Sequence, residues 1–176
     1  LEGKIQKIND DSVILKINGI SYEIFLPLII LKNLNKQFDK NKSITAHFFV
    51  VHFIETKSTI GNQFPRLFGF ETELERDFFL MLTTVNGLGF RTALKSLTIP
   101  ISQIAKAIEQ NDILTLKSLP NIGEQTAKKI ILQLKGKMLK FILQKDKDLQ
   151  SIQAEAIEVL KKLQFPETEI ISIVND

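Results

Sequence analysis

A chain of 176 residues and 20.0 kDa is too long for a mini-protein and short for two full-sized domains, so it accommodates one to three small modules. Its 44% apolar and 24% charged content is that of a globular protein, and no apolar run approaches the roughly 18 residues of a membrane helix, which excludes a helical span. The net charge of +3 is unevenly spread, with nine Lys/Arg against six Asp/Glu in residues 1–70, twelve against nine in 71–150, and two against five in 151–176.

The first 70 residues read as β structure. Lys4 to Ile8, Val13 to Ile17, Tyr22 to Leu26 and Ile44 to Phe53 are short β-branched or aromatic runs separated by Asn-, Asp- and Lys-rich turns, and Asn18-Gly19 is a type I′ hairpin signal. So many short strands in so small a space predict a closed or nearly closed barrel. After Gly69 the period changes to helical: Leu74, Phe78, Leu82 and Val85; Ile101, Ile104, Ala105 and Ile108; Ile113, Leu116 and Leu119; Ala127, Ile130, Ile131 and Leu134. These spacings predict four or five short helices over 71–142. A polar stretch over 143–153 reads as a linker, followed over 154–176 by an amphipathic helix, Ala154 to Leu163, and a shorter one starting near Glu167.

An internal repeat organises the helical part. Leu82, Val85, Gly87-Leu88-Gly89, Thr92-Ala93 and Leu97 recur 34 residues later as Leu116, Leu119, Asn121-Ile122-Gly123, Thr126-Ala127 and Ile131. Two copies without the aromatic-glycine pattern of tetratricopeptide repeats fit a tandem helical hairpin better than a solenoid. In each copy the central Leu88 or Ile122 is expected to plug into the core, with the flanking small residues facing outward. Main-chain N–H groups then stand open at a helix start, where orphan donors and the helix dipole favour an anion such as a phosphate. Arg91 follows the first turn and Lys128-Lys129 the second. The basic cluster Lys128, Lys129, Lys135, Lys137 and Lys140 makes this the half of the central block that a polyanion prefers.

The tandem turns resemble those of helix-hairpin-helix DNA-binding modules, and the order of motifs along the whole chain resembles the RuvA family of Holliday-junction-binding proteins. The resemblance is carried by Gly3-Lys4-Ile5, Asn18 to Ile24, His47 to Val51, Leu67-Phe68-Gly69-Phe70, Glu75 to Phe79, Asn86 to Gly89, and Leu119 to Gly123. It implies an N-terminal OB-like β-barrel (1–70), a central all-α tandem helix-hairpin-helix domain (71–142), the linker, and a short C-terminal helical segment, an incomplete three-helix domain. It further implies a cytoplasmic homotetramer that binds a four-way junction without sequence preference and without a catalytic site, cofactor or metal of its own. The partners implied are a hexameric AAA+ ATPase motor, RuvB-like, and a junction-resolving endonuclease. DNA contacts fall by this resemblance on Asn86, Gly87, Gly89, Arg91, Thr92, Asn121, Gly123, Gln125, Thr126, Lys128 and Lys129, and motor contacts on Leu160, Leu163, Ile170 and Val174.

The departures from the family pattern are specific. Asn121 stands where the family usually has Gly, Glu124 and Gln125 stand where Lys is usual, and Phe90 replaces a frequent Pro. These predict a weaker second hairpin. The family's paired central acids are absent, and Phe53, Ile54 and a lone Glu55 occupy the expected pin-like turn, with Phe53 and Ile54 suited to act as an apolar wedge. The resemblance also implies a third C-terminal helix beyond the two read here, so these two are expected to have an open side, either because the segment is cut short or because it docks on something else.

Other constellations are weaker. His47 and His52, five apart on one expected strand, face opposite sides and do not chelate a metal. Glu71, Glu73, Glu75 and Asp77 suit a helix N-terminus better than a Mg²⁺ site. Gly136-Lys137 ends like a Walker loop but lacks its first glycine. An absence of cysteine and of a charged-then-apolar leader points to a reducing cytoplasm, and the Leu1-Glu2 opening suggests that a residue or two was lost or replaced at the start. The alternatives are a DNA-repair glycosylase-like enzyme using Asp146, in a linker without an aromatic pocket for a flipped base, and a generic helix-hairpin-helix adaptor.

Overall fold

The computed structural model of the chain describes residues 1–38, 44–56 and 63–143. Six strands, β1 (Glu2–Ile8), β2 (Ser12–Ile17), β3 (Ile20–Phe25), β4 (Ile44–His47), β5 (Phe49–Thr56) and β6 (Gln63–Phe70), form one sheet in the order β4-β1-β2-β3-β6-β5. The β2–β3 connection is the expected tight hairpin: Asn18 and Gly19 both have positive φ, 47° and 87°, as a type I′ turn requires.

The expected single strand from Ile44 to Phe53 is two strands. Phe48 interrupts it, buried in the barrel core, while its N–H donates to the Leu1 carbonyl (2.8 Å) and its own carbonyl accepts from the Leu1 amino group (2.7 Å). Since β4 pairs with β1 at one edge of the sheet and β5 with β6 at the other, this one residue draws the two edges together. A register shift between Ile5 and Lys7 adds local bend. The result is a curled, OB-like half-barrel.

Helix α1 (Leu28–Phe38), a segment expected to be turn, seals the barrel. Its Ile30, Leu31 and Leu34 share one helical face and pack with Ile5, Val13, Leu15, Ile24, Leu26 and Phe48. Each such fully buried side chain contributes about 1.5–3 kcal/mol.

Among the described residues the helices α2 (Glu73–Thr83), α3 (Phe90–Ser96), α4 (Ile101–Glu109), α5 (Ile113–Ser118) and α6 (Glu124–Leu134) follow, with a further helical turn over 139–143. Thr72 and Glu75 form a capping box at the start of α2, so the early acids serve a helix N-terminus. Asp77 is paired with Arg76 (3.0 Å) and Lys140 (3.8 Å). The turn at Gly136-Lys137 is the end of α6, where the Glu109 carboxylate accepts from the Gly136 and Met138 N–H groups at 2.8 and 3.0 Å.

Phe68 and Phe70 of β6 belong to the same apolar cluster as Phe78, Phe79, Leu82, Ile104, Ile108 and Phe141, so the last strand of the sheet is also a wall of the helical core. Phe53 of β5 joins it by lying against Phe90 of α3, ring centroids 3.9 Å apart. The orientation of the first hairpin relative to the barrel is thereby fixed through aromatic packing. The expected linker from residue 144 onward, Asp146, and the C-terminal helices with Leu160, Leu163, Ile170 and Val174 lie outside the described residues.

Candidate nucleic-acid interface

The two repeat copies build two turns of the same form. In the first, between α2 and α3, Val85 and Leu88 are buried, the Leu88 N–H donates to the Val85 carbonyl (3.0 Å), and Gly87 takes φ +88°. In the second, between α5 and α6, Leu119 and Ile122 are buried, the Ile122 N–H donates to the Leu119 carbonyl (3.2 Å), and Asn121 takes φ 62°. Asn is the non-glycine residue best suited to that left-handed conformation, so the substitution preserves the turn.

Gly89 and Gly123 then act as helix N-caps with no side-chain cap hydrogen bond, at extended φ of −73° and −84°. A Cβ built at either position meets nothing within 4 Å. The space in front of Gly89 and Gly123, where any other residue would place its side chain, is therefore open.

The cations are arranged less simply than the sequence suggests. Arg91, Lys95, Lys128 and Lys129 are exposed, Gln125 likewise, and Thr92 and Thr126 are half-buried at the starts of α3 and α6. Glu124, at the first position of α6, bridges Lys128 (2.8 Å) and Lys117 (3.4 Å). Those two ammonium groups, Lys128 foremost, hold its carboxyl below the usual glutamate range. Glu124 thus neutralises part of the positive charge beside the second turn. Lys129, read from the sequence as part of the second copy, extends instead toward the first: its ammonium lies 3.9 Å from where a Cβ on Gly87 would be. On the same face of α6, the Gln133 side chain accepts from the Asn86 N–H at 3.3 Å.

A groove of about 570 Å³ runs between the barrel and the helices. Phe25, Leu31 and Phe68 contribute its apolar part, Arg66, Arg91 and Lys95 its cations, Asp10 and Asp11 its carboxylates, and Pro120 and Asn121 bring the second turn to it. Lys95, Lys117 and Gln133 did not emerge from the sequence as site residues. For Lys95 a signal existed, since it stands at the same place in the first copy as Lys129 in the second.

Phe53, Ile54 and Glu55 lie within β5, opposite Arg66, Pro65 and Phe64 of β6, rather than at a turn. Phe53 is half-buried against Phe90 and Phe68, whereas Ile54 is 50% exposed on the alternate face. His47 and His52 sit on different strands, β4 and β5, so their separation follows from the break at Phe48 and not from alternation along one strand.

Comparison with known proteins agrees with this architecture. Residues 1–55 match the model of the RuvA N terminal domain, and residues 79–137 match that of the SAM-like helix-hairpin-helix tandem. The Holliday junction branch migration complex subunit RuvA of Caldanaerobacter subterraneus is 31% identical over 177 residues, covering 100% of this chain and 88% of the relative. This chain belongs to the RuvA family. RuvA of Pelobacter propionicus is 31% identical over 99% of this chain and 77% of its own length. RuvA of Desulfosudis oleivorans is more similar locally, 36% identical over 80% of this chain, but there the match spans 65% of the relative, just under two thirds.

Proposed function

We propose that this chain is the DNA-binding subunit of a branch-migration complex, which holds four-way junction DNA by its sugar-phosphate backbone without regard to sequence. The observation that carries the reading is the pair of equivalent turns, each with a glycine cap that no side chain covers at the start of a helix and with lysine or arginine nearby. Neither turn presents a helix face or ribbon suited to base edges, so the contacts are positional. The names of the RuvA relatives as branch migration complex subunits support the same assignment.

In this proposal the chain assembles as a homotetramer, residues 71–142 contact DNA, and residues 154–176 engage a hexameric ATPase motor through Leu160, Leu163, Ile170 and Val174 after the linker 143–153. The chain contributes no ATPase site; the motor supplies hydrolysis, in the cytoplasm, and a junction-resolving endonuclease acts on the same substrate. The DNA contacts are Asn86, Gly87, Gly89, Arg91 and Thr92 at the first turn, with Asn121, Gly123, Gln125, Thr126, Lys128 and Lys129 on the second copy. At the centre of the assembly the pin-like segment Phe53-Ile54-Glu55 lies near the crossover, with Ile54 as its exposed apolar group and Phe53 committed to packing.

The test is a gel-shift series of four-way junction, duplex and single strand at matched salt. Preference for the junction by at least about tenfold is expected. Equal affinity for duplex would point to a generic DNA-binding adaptor, and base excision from a damaged duplex would point to a glycosylase.

A further inference from the structure

The two hairpins are linked by a reciprocal arrangement. Lys129 belongs by sequence to the second copy, but its ammonium stands beside Gly87 in the first turn, and Gln133, one helical turn further along α6, accepts from the neighbouring Asn86 N–H. Lys95 belongs to the first copy, and it lines the same groove as Pro120 and Asn121 of the second turn. Lys95 and Lys129 occupy the same place in the 34-residue repeat. Helix α6 of the second copy therefore reaches the turn of the first, and α3 of the first copy faces the same groove as the turn of the second, a groove that Asp10 and Asp11 also line.

We propose that the phosphate-contacting lysines are exchanged between the hairpins: Lys129 completes the site at the first turn, and Lys95 completes the site at the second. This rests on the junction-binding reading above and adds to it a residue, Lys95, and a new partner for Lys129. It also accounts for the tolerance of Glu124. That carboxylate occupies Lys128 and Lys117 at the second turn, and a cation delivered from α3 restores positive charge there without rearranging α6.

The exchange makes each backbone contact depend on both hairpins. A phosphate at the first turn meets donors carried by α3 and a charge carried by α6, and at the second turn the origins are reversed. The spacing of the two bound phosphates is then set by the shared helical core that holds both hairpins rather than by either turn alone.

Double-mutant cycles on the full chain, read as junction dissociation constants, test this directly. Gly89→Ala and Gly123→Ala place a methyl group in open space at ordinary φ, so each obstructs a phosphate with the fold kept, as unchanged thermal midpoints would verify. Lys129→Gln is expected to weaken the unmutated chain by about fivefold, to weaken the Gly89→Ala background by less than about twofold, and to keep its full effect in Gly123→Ala. Lys95→Gln should show the opposite pattern, losing its effect in Gly123→Ala only. Coupling confined to Lys129 with Gly123 and Lys95 with Gly89, or no coupling in any pair while the unmutated chain binds, overturns the exchange. A chain that does not bind the junction at all overturns the functional reading beneath it, so the two failures are distinguishable.

Discussion

At position 89 a hydrogen atom stands where any other residue would place a carbon, and the space before it is empty. Gly89→Val should weaken junction binding by at least about tenfold while leaving circular dichroism unchanged, because the added atoms obstruct an approach and no packed neighbour. Leu88→Ala is the opposite case. Leu88 is buried between the helices, so its truncation leaves a cavity and should cost about 2–4 kcal/mol in urea denaturation. Glu124→Lys should tighten binding, since it removes a carboxylate that competes for Lys128 and Lys117 and adds a cation at the second turn. The carboxyl is held below its ordinary value of 4.5, so its bridge is complete above that pH and is lost only as the pH falls through the lower folded value. The affinity ratio between Glu124→Gln and the unmutated chain should therefore stay constant from roughly pH 5.5 to 8, as titrations across that range would show. Much of this was legible in the sequence, because only glycine and asparagine readily serve a left-handed turn and the 34-residue repeat marked both places. The position of the Lys129 head was not, since it depends on how α6 packs across a turn remote in sequence.

Between elements, the decisive contact is the aromatic stack that joins β5 to α3. Phe53 and Phe90 are 3.9 Å apart at their ring centroids, with Phe68 close to both. Phe53→Ala should destabilise the chain by about 2 kcal/mol and weaken junction binding by loosening the first hairpin, whereas Ile54→Ala, on the exposed face, should cost less than about 0.5 kcal/mol. Equal costs in urea denaturation would contradict the assignment of Phe53 to packing. Helices α2 to α6 were readable because their apolar positions repeat at helical spacing and the turns between them carry Gly, Asn and Pro. Helix α1 was hidden by Pro27 and by a lysine- and asparagine-rich composition that resembles a turn, although Ile30, Leu31 and Leu34 have helical spacing. The division of β4 from β5 was hidden for another reason. Nothing in His47-Phe48-Phe49 interrupts the β pattern, and only the curl of the half-barrel requires the chain to leave one sheet edge and join the other at Phe48.

Over the whole molecule, two apolar clusters meet at β6, and the basic residues near the two turns, Arg91, Lys95, Lys128 and Lys129, are carried on α3 and α6. Electrostatic attraction to a polyanion follows from that placement rather than from the modest net charge of +3. The central claim is that this interface reads backbone and shape. It is tested most directly by measuring dissociation constants for two junctions of identical geometry and unrelated arm sequence, from roughly 50 to 200 mM salt. Two phosphate contacts already give about a tenfold loss over that range, and the two junctions should agree within about threefold at every point. A difference of tenfold or more between the arm sequences, or an affinity indifferent to salt, would contradict it.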